Sequence, residues 1–86
     1  MNTEIRKVFS LNLICYLRCN KFKENSVGFN KDTKKVYFIY DDNKELDRVI
    51  KEYKRKDTQV KLHDFIAEFK KLKEEMYQHL KEFTKS

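Results

Sequence analysis

The fold turns on Lys35-Val36-Tyr37-Phe38-Ile39-Tyr40-Asp41-Asp42. Residues 36–40 are all β-branched or aromatic, the side chains that suit a pleated, half-buried surface. Side chains alternate along a strand, so Val36, Phe38 and Tyr40 share one face and Tyr37 and Ile39 the other. Both rows are apolar, which predicts cover on at least part of both faces. Upstream, Asn30-Lys31-Asp32-Thr33 supplies turn formers whose side chains bond to their own backbone. With Asn25–Phe29 before the turn and Lys34–Tyr40 after it, residues 25–40 read as a β-hairpin.

Helices flank the hairpin. Before it, Ser10 is a good N-cap because its hydroxyl accepts a free N–H of the first turn. Leu11, Ile14, Cys15 and Leu17 gather on one side of a helix over residues 11–20. Asn20 is expected to end it in the left-handed conformation, which asparagine tolerates. Residues 1–9 are expected to be an N-terminal arm, with Ile5–Phe9 extended. After the hairpin, Asp42 with Glu45 three residues on resembles a capping box. Leu46, Val49, Ile50 and Tyr53 then follow helical spacing over residues 43–54. Val60 and Leu62 alternate as a short extended piece. The last helix, residues 63–83, carries a narrow stripe of Phe65, Phe69, Leu72, Met76, Leu80 and Phe83, with Ile66 and Tyr77 on its flank. The order α-β-β-α-α defines an α+β fold in a single small domain. A lone hairpin is marginal in water, so the helices must pack on it.

Size and composition narrow the functions. At 86 residues the core is thin and leaves little room for an enclosed catalytic cleft. With no proline and one glycine, Gly28, linker-like and phosphate-cradling Gly-rich readings fall away. The longest apolar runs, Leu13–Leu17 and Val36–Tyr40, are far shorter than the roughly 18 residues of a membrane span. The first residues lack the apolar core of a signal peptide. The protein is therefore expected in the cytosol, with no membrane partner. Cys15 and Cys19 are expected to be reduced thiols there.

No constellation for chemistry stands out. Two cysteines and two histidines raise a zinc site, but His63 and His79 would point about 160° apart on one helix. Cys15 lacks a neighbouring base and orienting group in sequence. Asp41-Asp42 start a helix, and Glu74-Glu75 sit among lysines as a solvated face. Neither an enzyme nor a bound metal or cofactor is expected.

Charge is the better lead. The net charge is +6, and residues 1–35 hold 8 basic and 3 acidic residues. Lys21, Lys23, Lys31, Lys34 and Lys35 are expected to cluster around the hairpin, with Arg6 and Lys7 as neighbours, as a patch for nucleic acid or an acidic partner. Lysines at hairpin edges also keep small sheets soluble. Lysine outnumbers arginine sixteen to four, which counts against base-specific reading. Lys54-Arg55-Lys56 reads as a helix end. Tyr16, Ile66 and Tyr77 are the candidate protein interface, with Tyr16 facing away from the apolar side of its helix. An uncovered apolar patch of this kind marks an interface.

Phe9-Ser10-Leu11, Tyr16-Leu17 and Phe22-Lys23, then Lys35 through Asp42, then Glu45-Leu46, Ile50 and Tyr53 resemble a group of short proteins of low-GC Gram-positive bacteria and their phages that carry a domain of unknown function. The resemblance covers residues 7–54. Relatives often place glycine before the aromatic at Phe22, where this chain has Lys21. The resemblance implies a phage or mobile-element setting and transfers no activity or site residue. Small proteins of that setting often act stoichiometrically. The leading expectation is a non-enzymatic module that occupies a host or phage protein or nucleoprotein, as an inhibitor of a defence or transcription component. The alternative is a basic nucleic-acid-binding protein using the lysine-rich hairpin. A homodimer stays open.

Overall fold

The computed structural model describes residues 4–55 and 61–85. Its elements are β1 (Ile5–Val8), α1 (Leu11–Cys19), β2 (Ser26–Asn30), β3 (Lys35–Asp41), α2 (Lys44–Lys54) and α3 (Leu62–Thr84). The α-β-β-α-α series is present, preceded by a strand where the sequence suggested an arm. That strand is placed by pairing: Ile5 lies opposite Asp41 and Val8 opposite Phe38, antiparallel. On the other side of β3, Ser26 lies opposite Ile39 and Asn30 opposite Lys35, also antiparallel. The three-stranded sheet therefore runs β1-β3-β2, with β3 in the middle.

The hairpin turn forms as its residues dictate. Asn30 Oδ1 accepts hydrogen bonds from the Asp32 and Thr33 amides, at 2.9 and 3.2 Å. Lys34 closes the turn with φ 56°.

Capping fixes the helix ends. Ser10 Oγ accepts from the Leu13 amide at 3.3 Å, starting α1 as expected. Its end departs from expectation. Asn20 is the C-cap with φ −94°, and Lys21 takes the left-handed position with φ 68°. The Phe22 amide bonds to the Leu17 carbonyl at 2.9 Å and the Lys21 amide to that of Arg18 at 3.0 Å. These two bonds are a Schellman motif, whose left-handed residue is usually glycine. The capper of α2 is Asn43, whose Oδ1 accepts from the Leu46 amide at 2.8 Å. Asp42 is free of that task and pairs with Arg6 instead, 3.4 Å away. Leu62 is the first residue of α3 rather than part of an extended piece. Val60 lies outside the described residues.

Helices cover one face of the sheet. Val36, Phe38 and Tyr40 are buried there with Val8, in one core with Ile14, Cys15, Tyr16 and Leu17 of α1. Four consecutive buried residues mean that α1 is enclosed all round its axis. The flanking helices explain this: α2 contributes buried Leu46, Val49 and Ile50, and α3 contributes Leu72. Tyr16 therefore corrects the sequence reading. It is buried, with its ring 5.4 Å from that of Tyr53 on α2, and presents no interface. The Cα trace measures 41 × 38 × 19 Å, a thin slab of one sheet and one helical layer. The expected cover on the second face of β3 is absent among the described residues.

Lys21 gives a direct test of this backbone. A non-glycine residue in the left-handed region costs roughly 1 kcal/mol. Lys21→Gly should raise the unfolding free energy by about that amount in urea denaturation. Lys21→Ala should bring no such gain.

Candidate functional site

The uncovered face of the sheet holds the most distinctive surface chemistry. Period-two alternation aims Tyr37 and Ile39 of β3, Ile5 and Lys7 of β1, and Gly28 of β2 to that side. Phe9, just past β1, joins them. Ile5 is 54% exposed and Phe9 45%. The Phe9 and Tyr37 ring centroids are 5.1 Å apart at 44°. Lys7 Nζ sits 5.0 Å from the Tyr37 centroid, within cation–π range.

Gly28 positions Tyr37. It lies directly opposite Tyr37 in the register. A β-carbon at residue 28 would collide with the outer ring atoms and hydroxyl of Tyr37. Gly28 has no positive φ, so this close approach is what the missing side chain allows. The ring lies down across β2 rather than standing off the sheet.

Phe9 also lines a groove of about 490 Å³ at the end of the sheet, between β3 and the helical layer. Leu11, Val36 and Met76 give it further apolar wall, and Lys34 and Lys35 a cationic rim. No carboxylate lines it.

The five lysines expected to cluster are split between two ends of the hairpin. Lys31, Lys34 and Lys35 lie at the turn. Lys21 and Lys23 lie in the connector before β2, roughly 15 Å away at about 3.4 Å per strand residue. The surroundings differ as well. Lys21 and Lys23 line a depression with Glu24, Glu68 and Glu75, so that end carries both signs. Phe22 lies in that depression too, but the groove at the turn end has its lysines and apolar wall without a carboxylate. Arg6, the other expected neighbour, is engaged by Asp42 and by Asp47, at 3.4 and 3.1 Å.

Ile66 and Tyr77 are exposed on α3, at 45% and 59%. Eleven residues apart, they stand within about 20° of each other round the helix. Leu62 extends the same line toward the N-terminal end. Lys81 Nζ stands 4.8 Å from the Tyr77 centroid. With Tyr16 buried, this stripe lies on α3 alone.

Polar residues inside the molecule act as ties. Arg18 of α1 reaches Glu75 of α3 through both guanidinium nitrogens and bonds Glu24 at 3.0 Å. Its guanidinium also lies 5.5 Å from the Phe38 ring centroid. Glu75 is thus more than a solvated-face residue, and no local pattern signals a partner 57 positions away. The Arg18 bond holds the Glu75 carboxyl below its ordinary value. The Cys15 thiol donates to the Phe65 carbonyl at 3.4 Å, and burial pushes its pKa up to about 12. Burial also raises Cys19. Both thiols are poor nucleophiles at neutral pH. His63 lies within α3. His79 meets Phe38 edge-on at 6.1 Å. Among the described residues no three His, Cys, Asp or Glu side chains are grouped to hold a metal. No helix among them is long and apolar enough to cross a membrane.

An aromatic pair on an open sheet face and an apolar, lysine-rimmed groove mark the surface of this small α+β protein. The chain belongs to the family described as a domain of unknown function, DUF5659, whose model matches residues 3–78. No curated protein and no solved structure matches the chain.

Two measurements check this geometry. In a proton NMR spectrum the Gly28 α-protons should be shifted upfield by the Tyr37 ring, and Tyr37→Leu should abolish the shift. The Arg18–Glu75 tie should show in acid. Its carboxyl titrates lower folded than unfolded, so its contribution is present above the ordinary value of 4.5 and is lost as pH falls through the folded value. A urea midpoint series over that range should be flatter for Glu75→Gln. The difference at neutral pH should be about 1 kcal/mol or less, because the carboxylate is partly exposed.

Proposed function

We propose that the protein is a non-enzymatic binding module that acts stoichiometrically on a host macromolecule. Its setting is a phage or mobile element and its site of action the cytosol of the host cell. There it occupies a component of defence or transcription, a protein or a nucleoprotein. The supporting observation is the uncovered sheet face, where Ile5, Phe9, Tyr37 and Ile39 form an apolar surface on the central strand and its neighbour. Apolar area left open on a chain with so thin a core is costly for solubility and is characteristic of contact surfaces. The exposed line Leu62–Ile66–Tyr77 offers a second contact surface on α3.

A second reading, direct binding of nucleic acid, draws on Lys7 beside Tyr37 and on the lysines at the groove rim. It differs from the lysine-rich hairpin of the sequence reading. The relevant cations are Lys7, Lys34 and Lys35, and Lys21 and Lys23 stand apart among carboxylates.

Tagged protein purified from its host should carry a stoichiometric partner, protein or nucleic acid, and Phe9→Glu should lose it while keeping the wild-type circular dichroism spectrum. Recovery without any partner, or a partner retained by Phe9→Glu, would overturn the assignment to this face.

A further inference from the structure

We infer that the open sheet face and the groove beside it bind single-stranded nucleic acid. Bases stack on Tyr37 and Phe9, and the strand's phosphates meet Lys7, Lys34 and Lys35. The inference rests on the binding-module reading and names its occupant.

Three kinds of occupant compete for an apolar sheet face. A second copy of this chain, paired face to face, would bring the same cationic face, with Lys7 and Lys35, in from both sides. Such self-pairing repeats every charge across the interface, and like charges oppose it. A neutral apolar protein surface would have to bury the Lys7 and Lys35 ammonium groups unpaired. A single strand satisfies both sets of groups at once. Its bases offer flat faces to the rings, and its phosphates offer negative charge at short intervals.

The geometry favours stacking over charge alone. Tyr37 is laid across Gly28, held flat on the sheet, with Phe9 5.1 Å from it. Lys7 Nζ stands over the same ring, 5.0 Å from its centroid, so a base that stacks there displaces the ammonium and leaves it to meet phosphate. At Phe9 the path turns round the end of the sheet into the groove between β3 and the helices, where Lys34 and Lys35 rim an apolar wall that no carboxylate lines. On the open face Asp41 is the acid of β3, and its carboxylate accepts a hydrogen bond from the Asn25 amide group. Double-stranded nucleic acid hides its base faces, so it gains from the lysines and not from the rings.

The test is fluorescence anisotropy with labelled oligothymidine and oligouridine of about 12 nucleotides, and with a duplex of equal length. Single strands should bind more tightly than the duplex. With three phosphates met, the logarithm of the association constant should fall with that of salt at a slope of about −2. Lys7→Gln should reduce the slope by about 0.7. Tyr37→Leu should weaken binding about tenfold and leave the slope unchanged. Gly28→Ala, which dislodges the Tyr37 ring without removing it, should also weaken binding. Lys70→Gln, the same charge change on the outer side of α3, should alter neither. Dissociation constants above about 0.1 mM for both strands would overturn the inference. So would equal affinity for the duplex, or equal sensitivity to Lys70→Gln. If the oligonucleotides fail and a protein partner is still lost with Phe9→Glu, the occupant is wrong and the module reading stands. If that partner is also missing, both fail.

Discussion

The row Val36, Phe38 and Tyr40 must be buried, and the layer of three helices buries it. Each such side chain contributes roughly 2 kcal/mol when removed from water. Phe38 has no exposed surface, and neither do Ile14, Cys15 and Leu17 of α1. This contact determines the rest of the layout. β3 must be central so that β1 and β2 shield its edges. α3 packs on both β3 and α1, and α2 packs against α1. α3 is 23 residues long, yet Leu72 is its one fully buried residue. Its C-terminal part is steadied by Phe83 stacked on Phe29, 5.3 Å apart.

Two polar groups run through this layer at some expense. Arg18 is held charged beside Phe38 because Glu24 and Glu75 both accept from it, so its desolvation is offset by paired hydrogen bonds. That tie joins α1, the connector before β2, and α3 at one point. Tyr40 is a different case. Its hydroxyl is buried with no hydrogen-bond partner among the described residues. Burial raises its pKa, since the phenolate would fare worse there. An unsatisfied hydroxyl costs about 1–3 kcal/mol, which the buried ring roughly offsets.

Period and capping made most elements legible. Ser10, the 36–40 run and the α3 stripe are local signals, and each places its element within a residue or two. What was not legible depended on contacts distant in sequence. Ile5-Arg6-Lys7-Val8 has two cations in four residues and becomes a strand by pairing with β3. Tyr16 lies opposite the apolar side of its own helix, but α2 covers that side too. Glu75 looks like one more charge on a solvated helix until Arg18 meets it. Lys21 takes the left-handed position after α1, φ 68°, and nothing in a lysine signals that conformation. The lysines of the candidate patch could be counted in sequence. The length of β2, which separates them, and the carboxylates beside Lys21 and Lys23 depended on the fold. Lys7 was named only as a neighbour, because its position over Tyr37 follows from the β1–β3 register.

A two-layer protein always leaves one sheet face without helices, so an open face alone demands no function. Solubility accounts for Lys7 and Lys35, which interrupt an edge and an end that would otherwise invite pairing. It does not account for Gly28 and Tyr37 together. Glycine inside a strand weakens it by roughly 0.5–1 kcal/mol. A polar pair at positions 28 and 37 would keep the sheet soluble without that loss. What glycine supplies here is room for a large ring to lie across β2, against Phe9 and beneath a lysine. The arrangement gives up local stability to hold an aromatic surface flat and partly exposed. The proposed binding role rests on that exchange of strand stability for a presented ring.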